Sequence, residues 1–494
     1  MSSSPFRSSA ALRFACASLG LSLIAGCAVG PAYERPALPV LPATFKEAAG
    51  WKAATPGDAA FRAAWWENFH DPVLNELEGQ VAASNQSLLQ AEANYNQARQ
   101  IARADRATFF PSISAVGSGT KAHAGVPGST TTYSAALQGT WTPDFWGRVS
   151  RLTEADTAAA QASAATLAAA RLSTQATLAQ DYIALRVLDE KKRLLDNQIE
   201  SYRRTLQISQ NKYNVGVSAR NDVISAQAQL DATRAQAIDV GVQRAAYEHA
   251  IAVLTGHAPG SLTIAVQPGL ALGVPDVPLQ LPSELLERRP DIAAAERSAA
   301  AANARVGIQT AAYFPDITLS AEGGYEGSPL DRLFRVPFRF WSLGLNASET
   351  LLDFGERRAL VQEARAAYDA SVAGYRQTVL AAFQQVEDNL AGLRIQAEEA
   401  KVQDAAVAEA AEAARITMNE YKAGTVDYTT VVTAQVAELN VRESALAVLQ
   451  SRLTETVALI EALGGGWQAS DLPTPAQTRA AEPAAPGRVA AAKE

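Results

Sequence analysis

Residues 314–325 read FPDITLSAEGGY, and they decide the fold because residues 110–120, FPSISAVGSGT, open in the same way 204 positions earlier. Four further pairs keep the same order at offsets of 204 to 209. They are Ala91-Glu92 with Ala295-Glu296, Asp144-Phe145 with Asp353-Phe354, Tyr213-x-x-Gly216 with Tyr421-x-x-Gly424, and Leu254-x-Gly256 with Leu463-x-Gly465. One such pair would be noise, but five in order indicate a tandem duplication of a unit a little over 200 residues long.

Each copy contains two stretches in which apolar and polar residues alternate. In the second copy they begin at Ile317 and Trp341, and in the first they begin at Tyr133 and, more weakly, at Ile113. Alternation over about ten residues is typical of a tilted strand in an outer-membrane barrel. A soluble hairpin with one wet face has nearly the same pattern, so the strands alone leave both possibilities open.

Long stretches without helix breakers follow the strands. Neither Gly nor Pro occurs between Gly147 and Gly216, and no Pro occurs from Phe338 through Leu472. At 1.5 Å per residue the first stretch predicts a helix roughly 100 Å long, which no globular core needs. Each copy is therefore predicted to run helix, two strands, very long helix, helix.

Four strands cannot close a barrel, and an open sheet edge in lipid leaves backbone groups unsatisfied. Closure therefore requires several chains, and three copies would supply twelve strands, an even number within the known range. The predicted fold class is membrane α+β, in which each tandem-repeat protomer contributes to a homotrimeric twelve-stranded β-barrel. The barrel is predicted to continue into a long α-helical barrel.

The N-terminus has the features of a lipoprotein signal. A short apolar stretch preceded by arginines ends Ile24-Ala25-Gly26-Cys27, and this spacing resembles a bacterial lipobox. We expect residues 1–26 to be removed and Cys27 to be lipidated, with Ala28 favouring sorting to the outer membrane. An ordinary signal followed by a chance cysteine is the alternative.

Composition and motifs argue against nucleic-acid binding and against catalysis. The 494 residues carry 43 basic and 51 acidic side chains, a net charge of −8, without a basic tract. The four histidines have no metal-ligand spacing, and neither a Gly-x-Ser-x-Gly motif nor a phosphate-binding loop occurs. We therefore expect no enzyme activity, no cofactor, no metal and no nucleic-acid partner.

The expected organisation has six parts. They are a signal peptide (1–26), an extended lipid-anchored segment (27–64), a first repeat (65–257), a Pro/Gly-rich linker (258–282), a second repeat (283–467) and a disordered tail (468–494).

Five runs of sequence carry a family resemblance. They are Val29-Gly30-Pro31-Ala32-Tyr33, Trp65-Trp66 with Asp71-Pro72-Val73-Leu74, residues 281–292 (LPSELLERRPDI), residues 301–307 (AANARVG) and residues 463–467 (LGGGW). From Cys27 to Trp467 the chain resembles a TolC-type outer-membrane efflux factor of the lipoprotein branch typified by OprM and NodT.

The resemblance implies a channel in the bacterial outer membrane, lipid-anchored and extending into the periplasm. It implies a homotrimer docked through a periplasmic adaptor protein onto an inner-membrane pump of the resistance-nodulation-division type, exporting drugs or other small toxic compounds. A duct for type I protein secretion is the alternative. A periplasmic adaptor or a structural coiled-coil lipoprotein is a further alternative, which the four strands disfavour.

The resemblance also assigns two groups of residues to the periplasmic tip, where each long helix reverses. The predicted adaptor contacts are Val215, Gly216, Val217, Lys422, Ala423, Gly424 and Thr425, although simple helix caps would explain the glycines equally well. The predicted gate residues are Tyr213, Arg220, Asp222, Tyr421 and Asp427. Thr433 and Val436 stand where relatives carry Asp and Arg, so this chain lacks the pair that would form a charged lock at these positions.

Overall fold

The computed structural model describes residues 29–38, 44–47, 64–123, 128–267, 269–270, 272–275, 277 and 288–480. The predicted signal peptide, the lipidation site Cys27 and residues 281–287 of the LPSELLERRPDI run lie outside the described residues.

Both repeats have the predicted order of helices and strands. The elements of the first are α1 (Pro72–Ser84), α2 (Gln86–Ala107), β1 (Ser112–Ala122), β2 (Thr130–Trp141), α3 (Arg148–Asn214) and α4 (Arg220–Leu254). Those of the second are α5 (Pro290–Ala311), β3 (Asp316–Gly327), β4 (Arg339–Ser348), α6 (Glu356–Ala423) and α7 (Tyr428–Ala462). The long helices α3 and α6 contain 67 and 68 residues. The predicted long helices are therefore confirmed.

The first helix of the first repeat differs from the prediction. The sequence predicts one helix before the strands of each copy, but in the first repeat the chain is extended at Asn85, which divides this helix into α1 and α2. The Asn85 side chain accepts a hydrogen bond from Leu88 N at 3.0 Å and donates one to Leu254 O at 2.8 Å. An Asn side chain that caps a helix competes with continuation of the preceding helix. Here the hydrogen bond from Asn85 to Leu254 O favours the cap.

The four strands form one antiparallel sheet in the order β1-β2-β3-β4, and the β2–β3 pairing joins the two repeats. Paired residues keep the same parity, as in the row Ile113, Gly139, Ala321 and Leu343. The odd-numbered residues therefore share one face, which carries exposed Ile113, Leu343 and other large apolar side chains. Within the described part of the chain, the outer edges of β1 and β4 pair with no further strand.

Two apolar cores hold the helices together. The larger lies where both repeats meet, and it packs α1 residues such as Leu74 on the middle of α3 around Leu178 and on α6 and α7 around Val379 and Leu453. The smaller lies near the far end of the long helices and includes Tyr421. None of the described helices combines the length and apolarity needed to cross a membrane.

An extended N-terminal segment, residues 29–47 as far as they are described, runs along the outside of these helices. Val29 N donates to Trp146 O at 3.2 Å beside the sheet, and Arg35 Nε donates to the Tyr375 hydroxyl at 3.2 Å. Further along, Glu387 accepts from the backbone N–H groups of Lys46 and Glu47 at 2.7 and 3.0 Å. The segment thus connects the base of the sheet to the middle of α6.

The predicted disordered tail is wrong for residues 468–480. A short helix, α8 (Pro475–Arg479), is capped by Thr474, and Thr478 is fully buried. Gln161 Nε2 on α3 donates to Pro473 O at 2.9 Å. The Ala/Pro-rich composition suggested disorder, but local caps and one buried side chain fix this segment on α3. The rest of the predicted tail lies outside the described residues.

Glu78 is an unusual member of the larger core. It follows Leu74 and Leu77 on the buried face of α1 and is fully buried. Among the described residues neither of its carboxyl oxygens has a hydrogen-bond partner. Burial raises the pKa of Glu78 to about 9, so the folded protein holds this carboxyl protonated at neutral pH.

Replacement of this carboxyl therefore changes how stability depends on pH. Between the ordinary Glu pKa and about 9, the unfolded chain loses the proton that the folded chain keeps, so stability falls as pH rises. Glu78→Gln removes this loss, which is about 1.4 kcal/mol for each pH unit above the ordinary Glu pKa, and we expect it to stabilise the protein at pH 8 by a few kcal/mol. Thermal unfolding of the detergent-solubilised protein between pH 5 and 9 measures the difference. Glu76→Gln, on the exposed side of the same helix, is the control, and an unchanged pH dependence in Glu78→Gln would contradict the assignment.

Candidate functional site at the helix reversals

The two long helices end in equivalent turns. Gly216 and Gly424 have φ of 74° and 83°, in the left-handed region that favours glycine. Val217 N donates to Lys212 O at 2.9 Å, and Thr425 N donates to Glu420 O at 3.0 Å. Each helix therefore ends with the same hydrogen bond, from the N–H of one residue to the C=O five residues earlier, as in a Schellman motif. Gly216 and Gly424 therefore end the two long helices, as the helix-cap interpretation expects. We call the two turns, residues 215–219 and 424–427, the tip.

All seven residues predicted to contact an adaptor are exposed, five of them in the tip and two, Lys422 and Ala423, at the end of α6. Val215 and Val217 are 74% and 72% exposed, which leaves two branched apolar side chains in water at the end of one turn. Exposed apolar residues clustered with polar neighbours mark interaction surfaces more often than isolated ones do. The role of these residues stays a prediction.

The structure treats the two predicted gate tyrosines differently. Tyr213 is partly exposed, whereas Tyr421 is buried against the end of α3. The Tyr421 hydroxyl lies 3.0 Å from Ser209 Oγ. Lys212 Nζ lies 4.0 Å from the centroid of the Tyr421 ring and donates a hydrogen bond to Tyr421 O. Tyr421 thus fastens the end of α6 to the end of α3.

Two further contacts extend this connection along the helices. Tyr428, at the start of α7, is buried and meets the Tyr421 ring edge-on with centroids 6.0 Å apart. Burial, and then the nearby Tyr202, Tyr421 and Asp222, raise the pKa of Tyr428 above its usual range, so its hydroxyl stays neutral. Gln435 Nε2 donates to Ser201 Oγ and Thr205 Oγ1 at 3.2 and 3.3 Å.

The predicted charged gate residues are not brought together within one chain. Asp427 caps α7 and accepts from Thr430 N and Oγ1 at 2.9 and 2.7 Å, and these bonds lower its pKa. Asp222 lies in the first turn of α4 and accepts from Ser218 Oγ. Arg220 is exposed and forms no ion pair with any residue that the structure describes. Within the chain, Asp427 therefore acts as a helix cap, whereas Asp222 bonds the side chain of the neighbouring turn residue Ser218.

Sequence reasoning missed four side chains that make the actual contacts. They are Ser209, Lys212, Tyr428 and Gln435. Tyr421 and Tyr428 are seven residues apart, a spacing that suggests a shared face, but the turn between them hides the pattern. Ser209 and Lys212 gave no signal, because their partner lies more than 200 residues away.

Thr433 and Val436, the two positions where relatives carry Asp and Arg, make no charged contact in this chain. Thr433 is exposed and donates to Thr429 O at 2.9 Å, and Val436 is half-buried. Within the described residues, no three His, Cys, Asp or Glu side chains are placed to hold a metal ion.

Comparisons with known proteins agree with this architecture. A family model described as outer membrane efflux protein matches residues 77–257 and 281–465, once in each repeat. The antibiotic efflux pump outer membrane protein ArpC of Pseudomonas putida is 29% identical over 465 residues, covering 90% of this chain and 94% of ArpC. The pyoverdine export outer membrane protein OpmQ of Pseudomonas aeruginosa is 28% identical over 465 residues, covering 91% and 97%. The structure of the outer-membrane channel OprN matches with a TM-score of 0.84 at 29% identity, covering 90% of this chain and 100% of OprN.

The contacts of Tyr421 predict a local effect of small changes at the tip. Tyr421→Phe removes the hydroxyl contact with Ser209 but keeps the ring, and loses about 0.5–1.5 kcal/mol of local stability. Hydrogen–deuterium exchange should then speed up at the ends of α3 and α6 while the larger core is unaffected. Tyr213→Phe, at the partly exposed equivalent position, is the control. Equal exchange in both variants would show that the Ser209 contact does not hold the helices together.

Proposed function

This chain belongs to the outer membrane efflux protein family, and from that membership we propose that it is the outer-membrane channel of a tripartite efflux system. The family match and the likeness to OprN confirm the predicted TolC-type fold and the prediction of an outer-membrane efflux channel. In our proposal three copies form a passive duct that carries drugs or other small toxic compounds through the periplasm and across the outer membrane. No catalytic step is assigned to it.

The observation that carries this proposal is a small sheet with two open edges attached to two very long helices. The helices of 67 and 68 residues each span roughly 100 Å, which suits a passage through the periplasm. The sheet contributes four strands of 10 to 12 residues, close to the length of a tilted membrane strand. Three copies would close twelve strands into a barrel and leave no edge in lipid.

The partners follow from the same architecture. A passive duct needs a source of energy, which an inner-membrane pump of the resistance-nodulation-division type supplies, and a periplasmic adaptor protein joins the two. The exposed apolar side chains at the tip, Val215 and Val217, are the surface that the adaptor would grip. ArpC and OpmQ, named for antibiotics and for pyoverdine, have similar identity to this chain. This fits a duct whose substrate is selected by the pump.

The course of the N-terminal segment supports a lipid anchor at Cys27. Val29 is bonded to Trp146 O at the base of the sheet, and two residues span at most about 7 Å. An acyl group on Cys27 would then lie close to the membrane surface at this end of the sheet. In this proposal the lipid anchor and the sheet are inserted in the same membrane, the outer membrane.

We place the closure of the tip on Tyr421 and Lys212 rather than on an ion pair. The predicted members Tyr213, Arg220, Asp222 and Asp427 remain in the proposal as residues that line the tip, where the three copies come together. Opening requires the end of α6 to leave the end of α3, which breaks the contacts of Tyr421 with Ser209 and Lys212.

Removal of these contacts should open the channel. Lys212→Met combined with Tyr421→Ala eliminates the cation–π contact and the hydroxyl contact, so we expect a severalfold increase in single-channel conductance in planar bilayers. The control is Lys192→Met, which removes an exposed lysine of the same helix from its pair with Asp196. Wild-type conductance in the double variant would place the closure elsewhere.

Changes on the exposed side of the tip should act on the partner instead. Val215→Asp with Val217→Asp puts charges into the surface assigned to the adaptor, and we expect drug export by cells to fall at least tenfold, as desolvating buried charge is costly. Conductance of the purified channel should stay near wild type, because these side chains point into water. Val242→Asp, an exposed valine midway along α4, is the matched control. Normal export by the double variant would remove these valines from the interface.

A further inference from the structure

The apolar face of the sheet carries charge only at one end. Among the odd-numbered residues of the four strands, which share this face, the charged ones are Lys121 and Arg339. Lys121 is one residue before the end of β1, and Arg339 opens β4 opposite Tyr325. Both therefore lie at the loop end of the sheet, away from the helices. The acidic residues of the strands are even-numbered and lie on the other face.

Aromatic side chains lie next to Arg339 on this face. Tyr325 is its direct partner on β3, and Trp341, two residues further along β4, is 74% exposed. The Tyr325 ring meets the ring of Phe334 edge-on, with centroids 5.5 Å apart, and Phe334 is 71% exposed. In outer-membrane barrels, aromatic residues at a strand end are typical of the boundary between hydrocarbon and lipid headgroups.

The connection between β3 and β4, residues 328–338, adds two cations and has a defined conformation. Arg335 N donates to Arg332 O at 3.1 Å, and Leu333 between them is only 3% exposed. The buried leucine and the contact of Phe334 with the sheet anchor this loop. Its arginines are therefore held beside the start of β4.

These arginines have hydrogen-bond donors that the chain does not use. Arg335 and Arg339 form no ion pair with any residue in the described part of the chain. Arg332 Nε lies 3.4 Å from the Asp331 carboxylate, but both side chains are more than half exposed, so this pair contributes little. A guanidinium presents its N–H groups as a planar fork that fits two oxygens of a phosphate. The loop end is therefore complementary to phosphate groups.

The same loop also exposes apolar side chains. Leu330 and Val336 are 60% and 77% exposed, close in sequence to the exposed Phe334. Basic residues combined with exposed apolar and aromatic ones are typical of segments that lie in a membrane interface. A free phosphate ion would satisfy the arginines but leave these apolar side chains in water.

The first repeat shows that a hairpin of this sheet does not require such a loop. Its two strands are connected by residues 123–129, HAGVPGS, which contain neither Arg, Lys nor an aromatic residue. The cations and aromatic residues of residues 328–338 are therefore an addition to the duplicated plan.

We infer that the loop end of the β3–β4 hairpin binds a phosphate-bearing lipid of the outer leaflet. Arg335 and Arg339 bind the phosphate, and Phe334 and Trp341 lie against the upper part of the acyl chains. This inference rests on the proposed channel, in which the helices enter the periplasm and the opposite end of the sheet faces the cell surface. An arginine on a lipid-facing strand is tolerated near the interface, and a phosphate there complements its charge.

Lipid retention by the purified full-length protein tests this inference. The probes are lipid A, a glycolipid with two phosphates, and lipid A from which the phosphates have been removed. Native mass spectrometry measures how much of each lipid stays bound, and we expect the phosphorylated form to be retained several-fold better. Arg335→Gln with Arg339→Gln should abolish this preference, because the variant lacks both guanidinium groups. An unchanged preference in the variant would overturn the inference.

A matched variant controls for net charge. Arg171→Gln with Arg204→Gln also removes two exposed arginines without an ion pair to a described residue, but both lie on α3, away from the sheet. It should keep the wild-type preference, and an equal loss would show that only net charge matters. Excess inorganic phosphate should not displace the lipid, because it cannot cover Phe334 and Trp341. Displacement would indicate a site for free phosphate and would also contradict a lipid site.

Single-channel conductance of the same preparations separates this inference from the proposed function. A wild-type protein that conducts but retains both lipids equally would remove the lipid site and leave the channel. Silent membranes would remove the channel itself. The Arg335→Gln with Arg339→Gln variant should conduct like wild type, because these side chains are assigned to the outside of the barrel. A changed conductance would place them in the duct and overturn the assignment.

Discussion

The unpaired backbone groups along β1 and β4 are the constraint on which the rest of the molecule depends. In lipid, each unsatisfied N–H or C=O costs several kcal/mol, so a four-stranded sheet cannot stay open there. The duplication answers this constraint in part, because the β2–β3 joint closes one seam inside the chain. The two outer edges, β1 and β4, must be closed by other copies of the chain. The twofold repeat also places one long helix after each hairpin, so closing the sheet brings the helices into a ring.

Different contacts hold the middle and the end of the long helices. In the middle, Asp189 is buried between two arginines, with Arg186 Nη1 2.8 Å from Oδ2 and Arg244 Nε 2.7 Å from Oδ1. The same arginines donate to the carbonyl oxygens of Gly269 and Ile264, which fixes the linker between the repeats. Removing one member of such a buried network leaves an uncompensated charge, so the network favours a single arrangement. At the tip the contacts are mostly neutral, and the contacts between Lys212 and Tyr421 involve only one charge.

The sequence predicted those features that depend on local pattern. The repeat, the alternating strands, the long helices and the turn glycines Gly216 and Gly424 follow from spacing and from the backbone conformations that glycine permits. The break at Asn85 and the packing of Thr478 could not be predicted in this way, because both depend on a partner distant in the chain. The residues of the proposed gate also differ in how far the sequence predicts them. Tyr421 carries a family pattern, but Lys212 and Ser209 are recognised only when the rotation of α3 about its axis is known.

The loss of a charged lock has an energetic consequence for the tip. A neutral hydrogen bond contributes about 0.5–1.5 kcal/mol net and a cation–π contact about 0.5–2 kcal/mol, so in the proposed gate the contacts of Tyr421 would hold each copy closed by only a few kcal/mol. Moving a two-state equilibrium from 1:99 to 99:1 requires about 5.5 kcal/mol of differential binding. An adaptor that binds the exposed Val215 and Val217 more tightly in the open arrangement can supply that difference from a modest apolar area, since each buried Å² contributes about 25 cal/mol. In the proposed gate, the weak contacts of Tyr421 and the exposed valines of the neighbouring turn would therefore act together. Under this proposal, the partner opens the tip without breaking the buried charge network of Asp189, Arg186 and Arg244 in the middle of the helices.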